Sequence, residues 1–302
     1  MPPAAMNVMR ETVARLLPAA VDAYTAWSPV KRGRPFLRGW SAGALLRLEC
    51  FVPRRVVVRQ AGVELPLWLN LGSITGARAW GPGLPEVSGV AECVEAMTRR
   101  PGVFLDLGAN AGLFSFVVAD RCPRTRVIAV EPHPRLATLL RRDAEELGAR
   151  LARHGSRVEV VETALGASDG TVVFHQLCHD DISSLYPVPG HAGRAVVTPL
   201  RRGDALLAAL DVGTVELCKL DVEGAELAVL RGLEETLKHQ RIRRLRMEIN
   251  RERCAAAGHA PDDLVAALAR HGYGLTPDSA AAYARGGWAW ADFDFIPAGA
   301  AG

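Results

Sequence analysis

From about residue 100 onward, short apolar runs alternate with amphipathic stretches. The runs have the length of buried strands, and the stretches between them place leucines at helical spacing. Six runs are predicted to be strands: 103–107, 126–131, 157–162, 215–221, 244–249 and 292–296. This alternation predicts an α/β domain in which a mostly parallel sheet is covered by helices on both faces. Ligands of such sheets bind beyond the carboxyl ends of the strands, so the residues that follow each strand are candidates for function.

The helix after the second strand has a recognisable start. Pro134 suits the first helical position, four leucines then share one face, and Gly148 predicts the end of the helix. A longer insert, 164–214, separates the third strand from the fourth and contains two more strand-like pieces, 170–174 and 195–198.

The first 85 residues show a different pattern. A helical segment, 8–26, is followed by a β-rich patch at 54–59 and by Gly81-Pro-Gly-Leu-Pro85, which is typical of a boundary loop. We therefore predict an N-terminal cap or lid over residues 1–85 and a main domain over residues 86–302.

Composition and charge restrict the class of protein. The chain has 302 residues, of which 49% are apolar and 23% charged, and a net charge of +3, all ordinary for a soluble globular protein. A nucleic-acid-binding protein would show a more concentrated basic face. We interpret the run Arg241, Arg243, Arg244 and Arg246 as a solvated face or as charge pairing at a helix terminus. No run approaches the ~18 apolar residues of a membrane helix, and the N-terminus lacks the layout of a signal peptide. We expect no nucleic-acid partner and no membrane insertion.

Cysteines and histidines give little indication of a metal. The six cysteines are widely spaced without a CxxC pair, which favours a cytoplasmic protein over a zinc site or a disulfide framework. His175 and His179 stand four apart beside Asp180 and Asp181, but this spacing shares a face only on a helix, and the segment does not read as helical. No metal site is predicted.

The segment Asp106-Leu-Gly-Ala-Asn-Ala-Gly112 follows the first strand of the main domain and opens a helix. Gly108 and Gly112 would let the backbone approach a ligand, and the helix start offers free N–H groups. At the end of the second strand, Glu131 can accept hydrogen bonds from the two hydroxyls of a ribose.

Asp106 decides between nucleotide cofactors. A carboxylate before the glycines would repel a pyrophosphate, but it suits the cationic methionine end of S-adenosylmethionine (SAM). The glycine spacing is also GxNxG rather than the GxGxxG of dinucleotide-binding proteins. The predicted cofactor is therefore SAM. In the structural alternative, Asp106 only ties down the turn and Glu131 only caps the next helix.

A second candidate cluster follows the fourth strand. Lys219, Asp221 and Glu223 stand two apart and would project to one side of an extended backbone. We predict that Asp221 or Glu223 orients the methyl acceptor or acts as a base. Lys219 is predicted to stabilise the negative charge of these two carboxylates. Glu248, at the end of the fifth strand, reaches the same edge as a further substrate contact. In the structural alternative, these groups satisfy one another and pin the strand to the next helix, with Glu226 included.

Five sequence blocks, in order, resemble those of FkbM-family methyltransferases. The blocks are Asp106–Gly112, Ala129-Val-Glu-Pro132, Ala164-Leu-Gly166, Ser183-Ser184, and Lys219-Leu-Asp-Val-Glu-Gly-Ala-Glu226 with Leu230-Arg-Gly232. The chain departs from the family pattern at Gly203-Asp204, where Leu-Asp is usual.

The resemblance implies a Rossmann-like class I methyltransferase fold with a seven-stranded sheet. It also implies a SAM site, to which we assign Asp106, Gly108, Asn110, Gly112, Phe114, Glu131, Ala164 and Leu165. Ser184 is assigned to the substrate.

The family methylates hydroxyls on sugars and secondary metabolites, so O-methylation of a small-molecule acceptor is the expected function. Transfer to nitrogen or to a carboxylate stays open. The alternatives are a nicotinamide-dependent oxidoreductase, disfavoured by Asp106 and by the absence of GxGxxG, and an RNA methyltransferase or nucleic-acid-binding protein. The sequence does not indicate the oligomeric state.

Overall fold

The computed structural model describes residues 3–27, 38, 40–45, 50–81, 83–177, 183–186 and 194–299. These residues fall into two compact units. One comprises the described residues up to Val87 together with Leu177, and the other comprises those from Ser88 to Gln176 and from Ser183 onward. The role of the first 85 residues as a cap stays a prediction.

The N-terminal unit contains a long helix and a hairpin. Its elements are α1 (Pro3–Trp27), β1 (Pro53–Gln60), β2 (Val63–Asn70) and α2 (Ile74–Trp80). Strands β1 and β2 pair antiparallel, and their buried positions alternate, as expected for a hairpin that packs one face.

The second unit alternates helices and strands. Its helices are α3 (Ser88–Arg99), α4 (Leu113–Arg121), α5 (Pro134–Ala152), α6 (Gly203–Ala209), α7 (Glu226–Gly232), α8 (Glu234–Lys238), α9 (Arg251–Ala256), α10 (Pro261–Ala269) and α11 (Pro277–Arg285). Its strands are β3 (Val103–Leu107), β4 (Arg126–Val130), β5 (Arg157–Val161), β6 (Ala164–Leu165), β7 (Gly170–Gln176), β8 (Arg194–Arg201), β9 (Leu217–Leu220), β10 (Leu245–Asn250), β11 (Tyr273–Leu275) and β12 (Trp290–Pro297).

Seven of these strands form one sheet in the order β11-β12-β10-β9-β3-β4-β5. Strand β12 runs antiparallel to both of its neighbours, and β10, β9, β3, β4 and β5 run parallel. Within this sheet the chain enters at the central strand β3 and proceeds outward through β4 to β5. It then returns to β9, which lies on the other side of β3. Because βαβ crossovers are right-handed, this reversal places helices on opposite faces of the sheet.

One face of the sheet carries the main hydrophobic core. Leu105, Leu107, Leu220 and Met247 point to this face and pack with apolar side chains of α6, α7, α8 and α10. The opposite face is covered by α3 and α4. A Cβ on Gly89 of α3 would lie 3.2 Å from the ring of Phe114 and 3.4 Å from Nε of Arg246.

The insert between β5 and β9 forms a small sheet of its own, in which β8 pairs parallel with β6 and antiparallel with β7. Helix α6 follows and explains the departure at Gly203-Asp204. A Cβ on Gly203 would lie 2.4 Å from the side chain of Leu233, so a leucine does not fit there. Asp204 accepts hydrogen bonds from the backbone N–H groups of Glu235 and Thr236, each at 2.9 Å, and so joins α6 to α8.

The predicted end of α5 at Gly148 is wrong. The helix continues to Ala152 because Leu147 and Leu151 are both buried and extend its apolar face. Gly148 has nothing within 4 Å of its Cβ position and no positive φ, so it is an ordinary helical residue. Among the residues that the structure describes, no helix is long and apolar enough to cross a membrane.

Two glycine substitutions test this packing. Gly148→Ala should raise the free energy of unfolding by about 0.5–1 kcal/mol, because alanine restricts the unfolded chain and favours the helix. Gly232→Ala should lower it by about 1–3 kcal/mol, because the new Cβ would lie 2.0 Å from the carbonyl oxygen of Gly166. Chemical denaturation of both variants measures the two changes, and a stabilised Gly232→Ala variant would contradict the contact between α7 and β6.

Candidate active site

The carboxyl ends of β3, β4 and β9 meet at one edge of the sheet, and backbone hydrogen bonds join the loops that follow them. The N–H groups of Gly108 and Ala109 donate to the carbonyl of Val130, each at 3.0 Å, and the N–H of Asp221 donates to the carbonyl of Leu107 at 3.0 Å. The structure therefore brings the predicted cofactor turn and the acidic block together.

The glycine turn has left-handed backbone at three positions: Gly108 (φ +84°), Asn110 (φ +50°) and Gly112 (φ +77°). A Cβ on Gly108 would lie 1.8 Å from the carbonyl oxygen of Asp221, and one on Gly112 would lie 2.5 Å from Leu140. Both glycines are therefore required by contacts within the protein, and their approach to a ligand stays a prediction.

Asp106 is fully buried on the sheet face that α3 and α4 cover. Its Oδ2 accepts a hydrogen bond from the hydroxyl of Ser115 at 2.6 Å, whereas Oδ1 is buried without a hydrogen-bond partner. Burial raises the pKa of Asp106, while Lys219 and Ser115 act in the opposite direction. An unsatisfied buried carboxylate oxygen suits a cationic hydrogen-bond donor.

Glu131 organises the turn from the end of β4. One carboxylate oxygen accepts the N–H of Asn110 and the other accepts the N–H of His133, each at 2.8 Å. Burial raises the pKa of Glu131 to about 7, and these two hydrogen bonds oppose the shift. Each oxygen has a further lone pair, so the carboxylate can still accept a hydrogen bond from a ligand hydroxyl.

Three residues beside or within the predicted site also serve the fold. His133 caps α5 by accepting the N–H of Arg135 through Nδ1 at 3.2 Å. Ala164 and Leu165 are both buried in β6, and Leu165 belongs to the main hydrophobic core. The part that Leu165 could offer a cofactor is therefore its backbone.

Lys219 is a buried cation between two carboxylates. Its Nζ lies 2.9 Å from Oδ2 of Asp221 and 4.8 Å from the centre of the Phe114 ring. Burial works against the charge, but Asp221 and Asp106 outweigh it and raise the pKa of Lys219. Phe114, assigned to the cofactor, is thus also a packing partner of the lysine.

The loop after β9 is held by three side chains. Glu226 accepts the N–H groups of Val222 and Gly224 through one oxygen, each at 3.1 Å. The hydroxyl of Ser184 donates to the carbonyl of Glu223 at 2.6 Å. Arg253 pairs with the Glu223 carboxylate at 3.1 Å. The only hydroxyl proton of Ser184 is therefore used to position Glu223, and its assignment to the substrate stays a prediction.

Asp221, Glu223 and Glu248 form a cluster of three half-buried carboxylates, whose nearest oxygens all lie within 4.8 Å of one another. Burial, followed by the charge of Asp221, raises the pKa values of Glu223 and Glu248 to about 8. Glu223, Glu248 or both can therefore hold a proton near neutral pH. Three oxygen ligands at this separation could also hold a hard divalent cation, although no metal was expected from the sequence.

Sequence reasoning missed a row of charges that crosses the sheet. Asp106, Lys219, Arg246 and Asp294 stand in register on β3, β9, β10 and β12. Arg246 is 6% exposed and pairs with Glu92 of α3, with Asp292 at 3.1 Å and with Asp294 at 3.2 Å.

The interpretation of the arginine run as a solvated surface is therefore wrong for Arg246, and Arg244 also pairs with Asp294. The sequence pattern that could have predicted this row is the alternation of charges at Arg244, Arg246 and Glu248 within a predicted strand. His175 lies in β7, and His179, Asp180 and Asp181 lie outside the described residues.

The strand order, the single reversed strand β12 and the position of the glycine turn define the class I methyltransferase fold. The family model described as the methyltransferase FkbM domain matches residues 106–275, more than half of the chain. The chain belongs to the FkbM methyltransferase family.

Three relatives illustrate the likeness. AMB antimetabolite synthetase AmbE of Pseudomonas aeruginosa is 30% identical over 251 aligned positions, which cover 68% of this chain and 11% of AmbE. Methyltransferase sdnD of Sordaria araneosa is 29% identical over 160 positions, covering 43% of this chain and 60% of sdnD. The solved structure of methyltransferase FkbM from Methylobacillus flagellatus KT is 18% identical with a TM-score of 0.40, and the match covers 65% of this chain and 43% of that one. The chain thus spans only part of each relative.

The raised pKa values predict how stability depends on pH. Glu131, Glu223, Glu226 and Glu248 have folded-state pKa values of about 7 to about 8, above the ordinary value of 4.5. The folded protein therefore holds extra protons between about pH 4.5 and about pH 8, and the free energy of unfolding should fall across this range and level off above it. Each titrating carboxyl contributes at most about 1.4 kcal/mol per pH unit.

Glu248→Gln should make this fall shallower, because the amide does not titrate. Glu234→Gln, on a helix away from the cluster, is the matched control and should leave the slope unchanged. Urea denaturation across the pH range measures the slopes. Equal slopes in the wild type and Glu248→Gln would show that Glu248 does not titrate in this window.

Proposed function

We propose that the protein is a SAM-dependent methyltransferase that transfers a methyl group to a hydroxyl of a small molecule, a sugar or a secondary metabolite. The observation that carries the cofactor assignment is the buried, unpartnered Oδ1 of Asp106 beside the turn. Asp106 would accept a hydrogen bond from the ammonium of the methionine moiety, and Glu131 would accept from the ribose hydroxyls. Membership of a methyltransferase family counts against the oxidoreductase alternative.

The remaining cofactor residues act through the turn. Gly108, Asn110 and Gly112 hold the left-handed backbone that precedes α4, and Ala164 and Leu165 would contribute backbone groups from β6. Lys219 carries one positive charge between the carboxylates of Asp106 and Asp221. A cation bound at Asp106 would balance the negative charge that Lys219 leaves over. SAM, when bound, supplies an electrophilic methyl carbon on a sulfonium.

The carboxylate cluster supports a hydroxyl as acceptor. A hydroxyl must lose its proton as its oxygen forms the new bond, and a carboxylate whose pKa lies near neutrality is suited to take that proton. Glu223 and Glu248, with pKa values of about 8, and Asp221, held by Lys219, are the groups available. Asp221 or Glu223 acts as the base or orients the acceptor, and Glu248 completes the substrate side.

Asp106→Asn tests the cofactor assignment. We expect wild-type protein to bind SAM in calorimetric titration, and Asp106→Asn to bind it at least roughly tenfold more weakly, the usual effect of losing one charged hydrogen bond. Binding of 5′-methylthioadenosine, which lacks the ammonium, should be equal in both proteins. Asp278→Asn, at the start of α11, is the matched control.

An equal loss for SAM and methylthioadenosine would mean that Asp106 only supports the fold. Binding of NADH in place of SAM would overturn the cofactor assignment as a whole.

Asp221→Asn and Glu223→Gln test the base. Both variants should bind SAM normally, and at least one should lose about 10²–10⁴-fold in kcat. Radiolabelled methyl transfer to a panel of hydroxylated sugars and secondary metabolites, with amines and carboxylic acids alongside, measures turnover and identifies the acceptor atom. With Glu223 as the base, wild-type kcat should rise as pH increases through about 8, because the carboxylate accepts a proton only when it is ionised.

Label in an alkali-stable ether supports O-methylation of a hydroxyl. Label in an amine or in an alkali-labile ester would contradict it. Full turnover in both variants would move the proton transfer to another group, with Glu248→Gln as the next test.

A further inference from the structure

Strands β10 and β12 lie beside the candidate site, and their pairing sorts their side chains between the two faces of the sheet. Met247 and Ile249 of β10 lie in the main hydrophobic core, as does Phe293 of β12. Because successive side chains of a strand point to opposite faces, the residues that alternate with these belong to the face that α3 and α4 cover. They pair across the two strands as Arg246 with Asp294, Glu248 with Asp292, and Asn250 with Trp290.

Trp290 stands at the end of this row that is nearest to the candidate site. It is the first residue of β12 and pairs with Asn250, the last residue of β10. Trp290 therefore lies at the carboxyl end of β10, on the same face as Glu248 and diagonally opposite it. Residues in this diagonal relation are about 7–8 Å apart, which is within reach of an aromatic and a long side chain.

The indole of Trp290 is open to solvent. Trp290 is 62% exposed, although folding usually buries most of a tryptophan. Trp288 shows the contrast, since its ring packs against Phe293 with the centres 5.1 Å apart and Arg251 lies 4.1 Å over it. Within the part of the chain that the structure describes, Trp290 has no such ring or cation contact. Its face is a surface on which a flat ring can stack.

The carboxylate of Glu248 is half-buried and unpaired. It makes no hydrogen bond or ion pair with any of the described residues. Asp292, by contrast, is held by Arg246, whose Nη2 lies 3.1 Å from Oδ2 of Asp292. Carboxylate oxygens of Asp221, Glu223 and Glu248 lie within 4.8 Å of one another. An acceptor group for a ligand hydroxyl therefore stands beside the exposed indole.

We propose that Trp290 binds the methyl acceptor, with a ring of the acceptor stacked on the indole and a hydroxyl of the same molecule donating a hydrogen bond to Glu248. The inference rests on the proposed methyl transfer and adds the kind of acceptor, a hydroxylated compound that contains a ring. A sugar ring and an aromatic ring both present the flat apolar face that the indole requires. Trp290 lies beyond residues 106–275, which match the family model, so family membership assigns it no role.

Radiolabelled methyl transfer to ring-bearing and open-chain acceptors tests the inference. Methyl glucopyranoside and catechol contain a ring, whereas sorbitol is an open-chain compound with comparable hydroxyls. Wild-type protein should methylate at least one ring-bearing acceptor with a higher kcat/KM than sorbitol. A preference for the glucopyranoside would identify a sugar ring, and a preference for catechol an aromatic ring.

Two substitutions of the tryptophan separate stacking from a structural role. Trp290→Ala should raise KM for the ring-bearing acceptor by roughly threefold to tenfold, the usual effect of losing one stacked pair, and leave kcat and SAM affinity nearly unchanged. Trp290→Phe keeps an aromatic face, so it should keep KM within about twofold of wild type. The acceptor should also change the tryptophan fluorescence of wild type more than that of Trp290→Phe, because the stacked indole reports binding.

Val197→Ala is the matched control. It shortens another exposed apolar side chain, on β8, and should change neither KM nor the fluorescence response. Calorimetric titration with SAM shows that each variant is folded.

The inference is overturned if Trp290→Ala leaves KM for ring-bearing acceptors unchanged, if Trp290→Phe loses as much as Trp290→Ala, or if sorbitol is methylated as efficiently as the ring-bearing acceptors. In each of these cases a hydroxyl still receives the methyl group, so the proposed function stands. Transfer to none of the hydroxyl compounds would overturn the proposed function and this inference together.

Discussion

Charge compensation on one buried face of the sheet is the constraint from which the candidate site follows. Asp106, Lys219, Arg246 and Asp294 come from four adjacent strands and lie in register. A single ionised group at any of these positions would be costly, and each is tolerated because an opposite charge stands beside it. The row therefore depends on the strand order itself, since a shift of one residue in any strand would send its charge to the hydrophobic face.

Two strands of this row, β3 and β9, place carboxylates near the carboxyl edge of the sheet, and the two carboxylates have different surroundings. At Asp106 one carboxylate oxygen is satisfied by Ser115 and the other is unpartnered, which leaves a place for a cation. At Asp221, just beyond Lys219, the chain turns into the loop that carries Glu223 and is closed by Glu226. Lys219 contacts the carboxylate of Asp221 and influences the pKa of Asp106, so the proposed cofactor and acceptor sides would share this buried cation. The proposed binding and chemistry are thus two consequences of one electrostatic arrangement.

Much of the fold could be predicted from the sequence because strands and helices of this size have local signals. The apolar runs located β3, β4, β5, β9 and β10, and the five ordered motifs indicated the family. The limits come from contacts that no local pattern records. Gly108 is glycine because the carbonyl of Asp221 lies against it, and Gly203 because Leu233 does. The end of α5 was misplaced since a glycine stops a helix only where its backbone turns left-handed, and Gly148 does not. Arg246 looked like a surface residue until the register placed it between Lys219 and Asp294.

A co-crystal structure with S-adenosylhomocysteine would show whether Asp106 and Glu131 hold the cofactor, because this ligand retains the ammonium and the ribose of SAM. The account predicts the ammonium nitrogen within hydrogen-bond distance of Oδ1 of Asp106, about 2.7–3.2 Å, and the ribose hydroxyls on the carboxylate of Glu131. The sulfur should face the carboxylates of Asp221, Glu223 and Glu248. A ligand whose ammonium lies elsewhere, with Oδ1 of Asp106 still unpartnered, would contradict the account.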